Sequence, residues 1–304
     1  MKPTRSELEQ NKIRLLREEL IERMARSARQ NSFFEVLPNV FIAHSAKPTE
    51  SEMSVCKPVF CAIAQGSKDV FLNNELFHYG ASHYLISTLD LPIKSNVVEA
   101  SEDEPYLNFL IGLDPALIAE VMLELPAVPY SKAIVKAIDV SPLDADLLEA
   151  VLRLVRLLET PDDAKFLAPL VIREIIYRLL KGKQGARLSQ LLTSEGNANR
   201  VSKAVEHIRQ NIDQPLKIDG LAQSLGMSVS GFHQHFKSVT AMSPLQFQKQ
   251  IRLQEARRLM LSENMDVAIA GARVGYDDPS YFSREYKKLF GAPPHRDIAN
   301  LRSH

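Results

Sequence analysis

Hydrophobic positions along the chain fall into distinct textures. Residues 6 to 29 place Leu8, Leu15, Leu16, Leu20, Ile21 and Met24 at helical intervals among charged residues, which predicts an N-terminal helix with a partial apolar stripe. From about Val36 to Leu113 the apolar runs become short and strand-like: NVFIAHS, PVFCAIAQG, DVFLNNELFHYG, HYLISTLDLPI and PYLNFLIGLD. Gly66, Asn73-Asn74 and Gly80 stand where hairpins would reverse, and regular spacing of such runs predicts an antiparallel β sandwich or barrel. After Asp114-Pro115 helical spacing returns, first in a short helix over Ala116 to Glu124. Two longer helices follow, one with Leu143, Leu147, Leu148, Val151, Leu152, Val155 and Leu158 on its apolar face, the other with Phe166, Leu170, Ile172, Ile176, Leu179 and Leu180. Gly182 ends the second. Such faces need a cover, either the β domain or a second copy of the chain. Residues 182 to 199 are richer in Gly, Ser and Asn and read as an interdomain connection with one short helix.

The last hundred or so residues contain a duplication. LAQSLGMSVSGFHQHFKSVTAMSP (221 to 244) aligns with AGARVGYDDPSYFSREYKKLFGAPP (270 to 294). Before the turn, corresponding residues lie 49 apart: Ala222 with Gly271, Leu225 with Val274, Gly226 with Gly275 and Met227 with Tyr276. After it they lie 50 apart: Phe232 with Phe282, Phe236 with Tyr286, Lys237 with Lys287, Ala241 with Gly291 and Pro244 with Pro294. One residue has been added in the second turn. Each half has the features a helix-turn-helix requires. Ala222 or Gly271 allows close approach of the second helix, and Gly226 or Gly275 supplies the left-handed backbone that ends the first. Ser228 in the first unit, and Asp277 or Asp278 in the second, can cap the following helix, with Pro279 suited to its first turn.

If Phe232 and Phe236, and their counterparts Phe282 and Tyr286, point into each unit's core, the opposite faces are left for duplex DNA. Ser230, His233, Gln234 and Lys237 share that face in the first unit, and Ser280, Ser283, Arg284 and Lys287 in the second. Gln234 suits adenine and Arg284 the O6 and N7 edge of guanine. Ser228, Tyr281 and Lys288 stand where phosphates would be reached. Between the units PLQFQKQIRLQEARRLML carries no breaker and predicts a rod of about 27 Å, which could set two recognition helices in successive major grooves.

Charge supports this only weakly. The chain is neutral overall, yet residues 200 to 304 hold 15 Lys and Arg against 10 Asp and Glu, leaving the remainder with an equal acidic excess. The 304 residues suffice for two cores, with no low-complexity tract. No stretch has the apolar length of a membrane span, and MKPTRSELEQ lacks the apolar run of a secretory signal, so a cytoplasmic place without membrane attachment is expected. His44, His78 and His83 are the only histidines before residue 200 and form no H-x-H pair, while His233 and His235 point to different sides of one helix. With no P-loop, nucleophile elbow or C-x-x-C, neither enzyme activity nor a metal or cofactor is expected. Cys56 and Cys61 lie in one predicted strand region and are expected as reduced thiols. They leave open a redox or electrophile sensor, Cys56 being the better candidate and Cys61 reading as an inert core thiol. The alternatives for the β domain are a pocket for a reversible small ligand and a purely dimerising role.

The C-terminal stretches LAQSLGMSVSGFHQHFK, SPLQFQKQIRLQEARRLML and VGYDDPSYFSREYKKLFGAPP resemble the AraC/XylS family of bacterial transcription regulators over about residues 200 to 296. The family continues after that last proline toward a Tyr-Arg pair, where this chain has Asp297-Ile298, a departure that bears on the last helix rather than on the reading helices. KPVFCAIAQGSKDVFL, YLISTLDLPI and EDEPYLNFLIGLD are similar, less specifically, to the N-terminal domain of one branch of that family. The resemblance implies an α+β multidomain chain. A cupin-like β barrel with flanking helices would sense a small-molecule effector and form a homodimer, and an all-α double helix-turn-helix domain would bind double-stranded DNA. It further implies a place on the bacterial nucleoid and contact with RNA polymerase, more often in activation than in repression. The expected divisions are an N-terminal helix (1–30), the effector and dimerisation domain (31–182), a linker (183–199) and the DNA-binding domain (200–304).

Overall fold

The computed structural model describes residues 5–27, 32–125, 135–190 and 197–302. The expected end of the first helix at 28–29 and residues 191–196 of the expected linker lie outside the described residues. The N-terminal helix α1 (Arg5–Ser27) precedes nine strands: β1 (Phe33–Leu37), β2 (Val40–Ser45), β3 (Glu52–Cys56), β4 (Val59–Gln65), β5 (Ser67–Leu72), β6 (Glu75–Gly80), β7 (His83–Ser87), β8 (Leu91–Glu99) and β9 (Tyr106–Gly112). Helix α2 (Pro115–Glu124), a tenth strand β10 (Ile138–Pro142) and helices α3 (Ala145–Arg156), α4 (Pro161–Lys181) and α5 (Gly185–Gln190) complete the N-terminal half. The C-terminal domain is helical: α6 (Asn197–Gln210), α7 (Ile218–Ser224), α8 (Val229–Thr240), α9 (Pro244–Ser262), α10 (Val267–Arg273), α11 (Pro279–Phe290) and α12 (Pro294–Arg302).

The strands form two antiparallel sheets rather than one closed barrel, with orders β1-β2-β9-β4-β7-β10 and β3-β8-β5-β6. Side chains alternate faces along a strand, so a strand covered on both sides is apolar throughout. In β4, Phe60, Ala62 and Ala64 join a core with α1, α2, α3 and α4, while Cys61 and Ile63 face the smaller sheet. Helix α3 buries Leu147, Leu148, Val151, Leu152 and Val155 in the first of these cores, so its apolar face covers the β domain of its own chain. Helix α4 does so only in part. Ala168, Ile175, Ile176, Leu179 and Leu180 turn inward, whereas Phe166, Leu167 and Leu170 are exposed, as is Leu123 of α2, a helix that packs on α4.

Two expectations need correction. β10 falls in a stretch to which the sequence pattern assigns no element, yet it pairs with β7 at the edge of the larger sheet. Cys56 and Cys61 do not share a strand, because Lys57-Pro58 separates β3 in one sheet from β4 in the other. The expected turns are present. Gly66 and Asn73 reverse the chain with φ of +80° and +55°, and His78 is tied to Asp69 across the β5–β6 hairpin by a 2.7 Å contact from its Nδ1.

The domains pack against each other. The apolar cluster between the sheets continues into Val201, Ala204, Phe232, Phe236 and Phe247 of the first helical unit. Polar contacts reinforce this junction. The Ala137 amide donates to the Val239 carbonyl at 3.0 Å, Asn73 Nδ2 donates to the Ala241 carbonyl at 3.2 Å, and Arg209 pairs with Asp90.

Candidate nucleic-acid interface

The two helix-turn-helix units follow the offsets read from the sequence. Helices α7 and α10 begin and end 49 residues apart, and α8 and α11 begin and end 50 apart. Their caps correspond. Ser228 Oγ accepts from the Gly231 amide at 3.2 Å, and Asp278 Oδ1 accepts from the Ser280 and Tyr281 amides at 2.7 and 3.2 Å. The second cap is therefore Asp278 rather than Asp277, and the inserted residue falls between Gly275 and that cap. At the far ends Ala241 and Gly291 are both left-handed, each amide returning to the carbonyl of Lys237 or Lys287.

Each recognition helix is fixed by aromatic packing on one side. Phe232 and Phe236 meet edge-on at 5.6 Å, and Phe236 meets Phe247 of α9 at 5.5 Å. In the second unit Tyr276, Phe282, Tyr286 and Phe290 form a chain of ring contacts. A Cβ at Gly271 would approach the Phe282 ring to 3.1 Å, so a residue without a side chain lets α10 and α11 close. Tyr286 is buried and its hydroxyl donates to Asp297 at 2.7 Å, while Arg257 donates to both oxygens of the same carboxylate at 2.8 and 3.0 Å. Burial and the adjacent carboxylate push the Tyr286 phenol up. Asp297, where the resembled family carries a different residue, is thus the anchor of α12.

The opposite faces are open. Ser230, Gln234, Lys237, Ser280, Arg284 and Lys287 are exposed, and His233 and Ser283 are half-buried. The proposed phosphate contacts Ser228, Tyr281 and Lys288 are exposed too, although Ser228 Oγ already serves its helix as the cap. The Arg284 guanidinium lies 5.8 Å from the Tyr281 ring centroid, a stacking that pre-orients it. Sequence reasoning missed Arg252. It projects from the middle of α9, donating to the Ile212 carbonyl at 2.6 Å, the Gln214 carbonyl at 2.9 Å and the Gly275 carbonyl at 3.0 Å. One guanidinium therefore ties the loop before α7 to the turn of the second unit, and Lys249–Glu285 at 2.5 Å adds a link from α9 to α11. Burial lowers the Arg252 pKa, but the carbonyl cage satisfies its donors. The sequence carries no signal that singles it out, because α9 also holds Lys249, Glu255, Arg257 and Arg258.

The cysteines show a different chemistry from that of a sensor. Cys61 is buried and Cys56 half-buried, and burial pushes both thiols up, away from the reactive thiolate. Among the described residues no three His, Cys, Asp or Glu side chains gather as metal ligands. No helix among them is long and apolar enough to cross a membrane.

Residues 36–187 match the AraC-type transcriptional regulator N-terminus family, and residues 221–298 match a helix-turn-helix domain family. The virulence regulon transcriptional activator VirF of Yersinia enterocolitica is 28% identical over 158 residues, covering 51% of this chain and 56% of that protein. The arabinose operon regulatory protein of Escherichia coli is 34% identical over 97 residues, covering 32% of this chain and 33% of that one. The matched stretch thus spans about half the length of VirF. Among solved structures, unsaturated fatty acid-bound wild-type ToxT from Vibrio cholerae strain SCE256 superposes with a TM-score of 0.56 at 13% identity, covering 89% of this chain and 97% of that chain. This likeness is one of fold.

Proposed function

The chain belongs to the AraC family of transcriptional regulators, and from that membership we propose that it binds duplex DNA sequence-specifically, with α8 and α11 in successive major grooves. The observation that carries this is the pair of equivalent capped helices, each buried through two aromatic residues and open on the opposite face. Helix α9, of 19 residues, is about 28 Å long at the α-helical rise, close to one turn of DNA. Ser230, His233, Gln234 and Lys237 read one half-element, and Ser280, Ser283, Arg284 and Lys287 the other. Ser228, Tyr281 and Lys288 hold phosphates.

The N-terminal domain serves as the effector-binding and dimerisation part, and the exposed Phe166, Leu167, Leu170 and Leu123 patch is where a second copy would pack. A relative named as a transcriptional activator supports an activating role, and on this reading the protein contacts RNA polymerase and works on the bacterial nucleoid in the cytoplasm. The unsaturated fatty acid bound to ToxT supports a small-molecule effector. Selection from a random duplex pool tests the proposal. Two enriched half-elements about ten base pairs apart are expected, and failure to enrich any sequence would overturn it.

A further inference from the structure

Where β3 faces α6 and α9, the domains leave a cleft of about 850 Å³. Gln254 lines it from α9 and is only 8% exposed, and neither its amide nitrogen nor its amide oxygen has a hydrogen-bond partner among the described residues. A primary amide removed from water without replacement bonds opposes the packing around it, so such a group marks a place where a partner is missing. Most charged side chains lining the same cleft are already paired: Arg209 with Asp90, Arg257 with Asp297, and Arg258 with Glu255 and Glu263. Lys57, beside β3, and Glu206, on α6, have no ion-pair partner among the described residues and are of opposite sign, Glu206 accepting only from the neighbouring Gln210 amide at 3.1 Å.

We infer that this cleft binds a small zwitterion of the amino-acid type. Its carboxylate lies toward Lys57 and its ammonium toward Glu206. A donor–acceptor edge on its side chain meets the Gln254 amide, and Met53, Val55 and Ile212 offer apolar wall for its methylenes. An occupant there touches both domains and favours their docked arrangement by its differential affinity. That regulatory consequence rests on the regulator reading, whereas the binding itself does not.

Calorimetry of the full chain tests the inference with three probes: L-glutamine, L-leucine (zwitterion without the edge) and propionamide (edge without the charges). Saturable binding of L-glutamine is expected at millimolar concentration or below, about tenfold tighter than either comparison probe. Gln254→Leu and Lys57→Met should each weaken it by about tenfold. Without ligand, Gln254→Leu should melt at or above the parent temperature, because it removes an unpartnered buried amide. A lower melting temperature would mean that the amide is already satisfied within the protein, which overturns the site. So would absence of saturable L-glutamine binding, equal binding of propionamide, or L-glutamine affinity unchanged by Gln254→Leu. Failure of the parent to bind DNA would instead overturn the regulator reading and leave the calorimetry standing.

Discussion

Gly226 and Gly275 occupy corresponding turns, with φ of +64° and +84°, but their surroundings differ. A Cβ at 226 would meet nothing within 4 Å, whereas one at 275 would stand 2.2 Å from the Asp213 carbonyl oxygen and 2.7 Å from Arg252 Nη2. Gly226→Ala therefore carries only the cost of a left-handed L residue, about 1–2 kcal/mol. Gly275→Ala adds displacement of the carbonyl and of the guanidinium that bridges the two units. Losing one charge-assisted hydrogen bond at about 1.5–3 kcal/mol brings the total to about 2.5–5 kcal/mol. Native-state hydrogen exchange of the full chain reads each unit separately through peptides spanning 218–240 and 267–290. Protection should fall about tenfold in the first unit for Gly226→Ala and by about seventyfold or more in the second for Gly275→Ala. Equal losses would refute the reasoning, leaving backbone strain as the only effect and the Arg252 clasp without energetic weight.

Further outcomes follow from the same contacts. Arg284→Ala should cost about 1–3 kcal/mol on the selected site and relax discrimination at one base pair in a binding assay, while an equal loss on all sequences would reduce Arg284 to a phosphate contact. Arg252→Met should leave both units folded by circular dichroism yet weaken binding to the two-element site far more than to either element alone, because it frees their relative orientation. Glu19 accepts from Arg23 and Arg156, and those guanidinium groups lower its pKa to about 2. A carboxylate whose folded pKa is depressed contributes stability above its unfolded value and loses it as pH falls. The advantage of the parent over Glu19→Gln in thermal melting, about 1 kcal/mol after solvent screening, should be full above about pH 4.5 and fade toward pH 2.

The helix-turn-helix pair was legible because its determinants are local: caps, left-handed turns and i, i+4 aromatics recur at fixed offsets within short windows. The strands were legible one by one, but their arrangement was not, since β4 pairs with β9 and β7 pairs with β10 across about fifty residues. β10 was hidden by its length and by Pro142, which suits only an edge position. The two cysteines read as one strand because the Lys57-Pro58 break lies inside an otherwise apolar run. Arg252 and Asp297 were invisible for another reason. A charge on a helix reads as solvated unless its partners are known, and theirs lie 11 to 40 residues away on other elements. The cleft at Gln254 depends on how two domains meet, which no periodicity reports.

Hydroxyl-radical footprinting of the full chain on the selected duplex tests the central claim most directly. Two protected windows about ten base pairs apart on one face of the DNA are expected, with Arg284→Ala erasing one of them and Gln234→Ala the other. A single window, or two windows weakened alike by either substitution, would contradict the assignment of one major groove to each recognition helix.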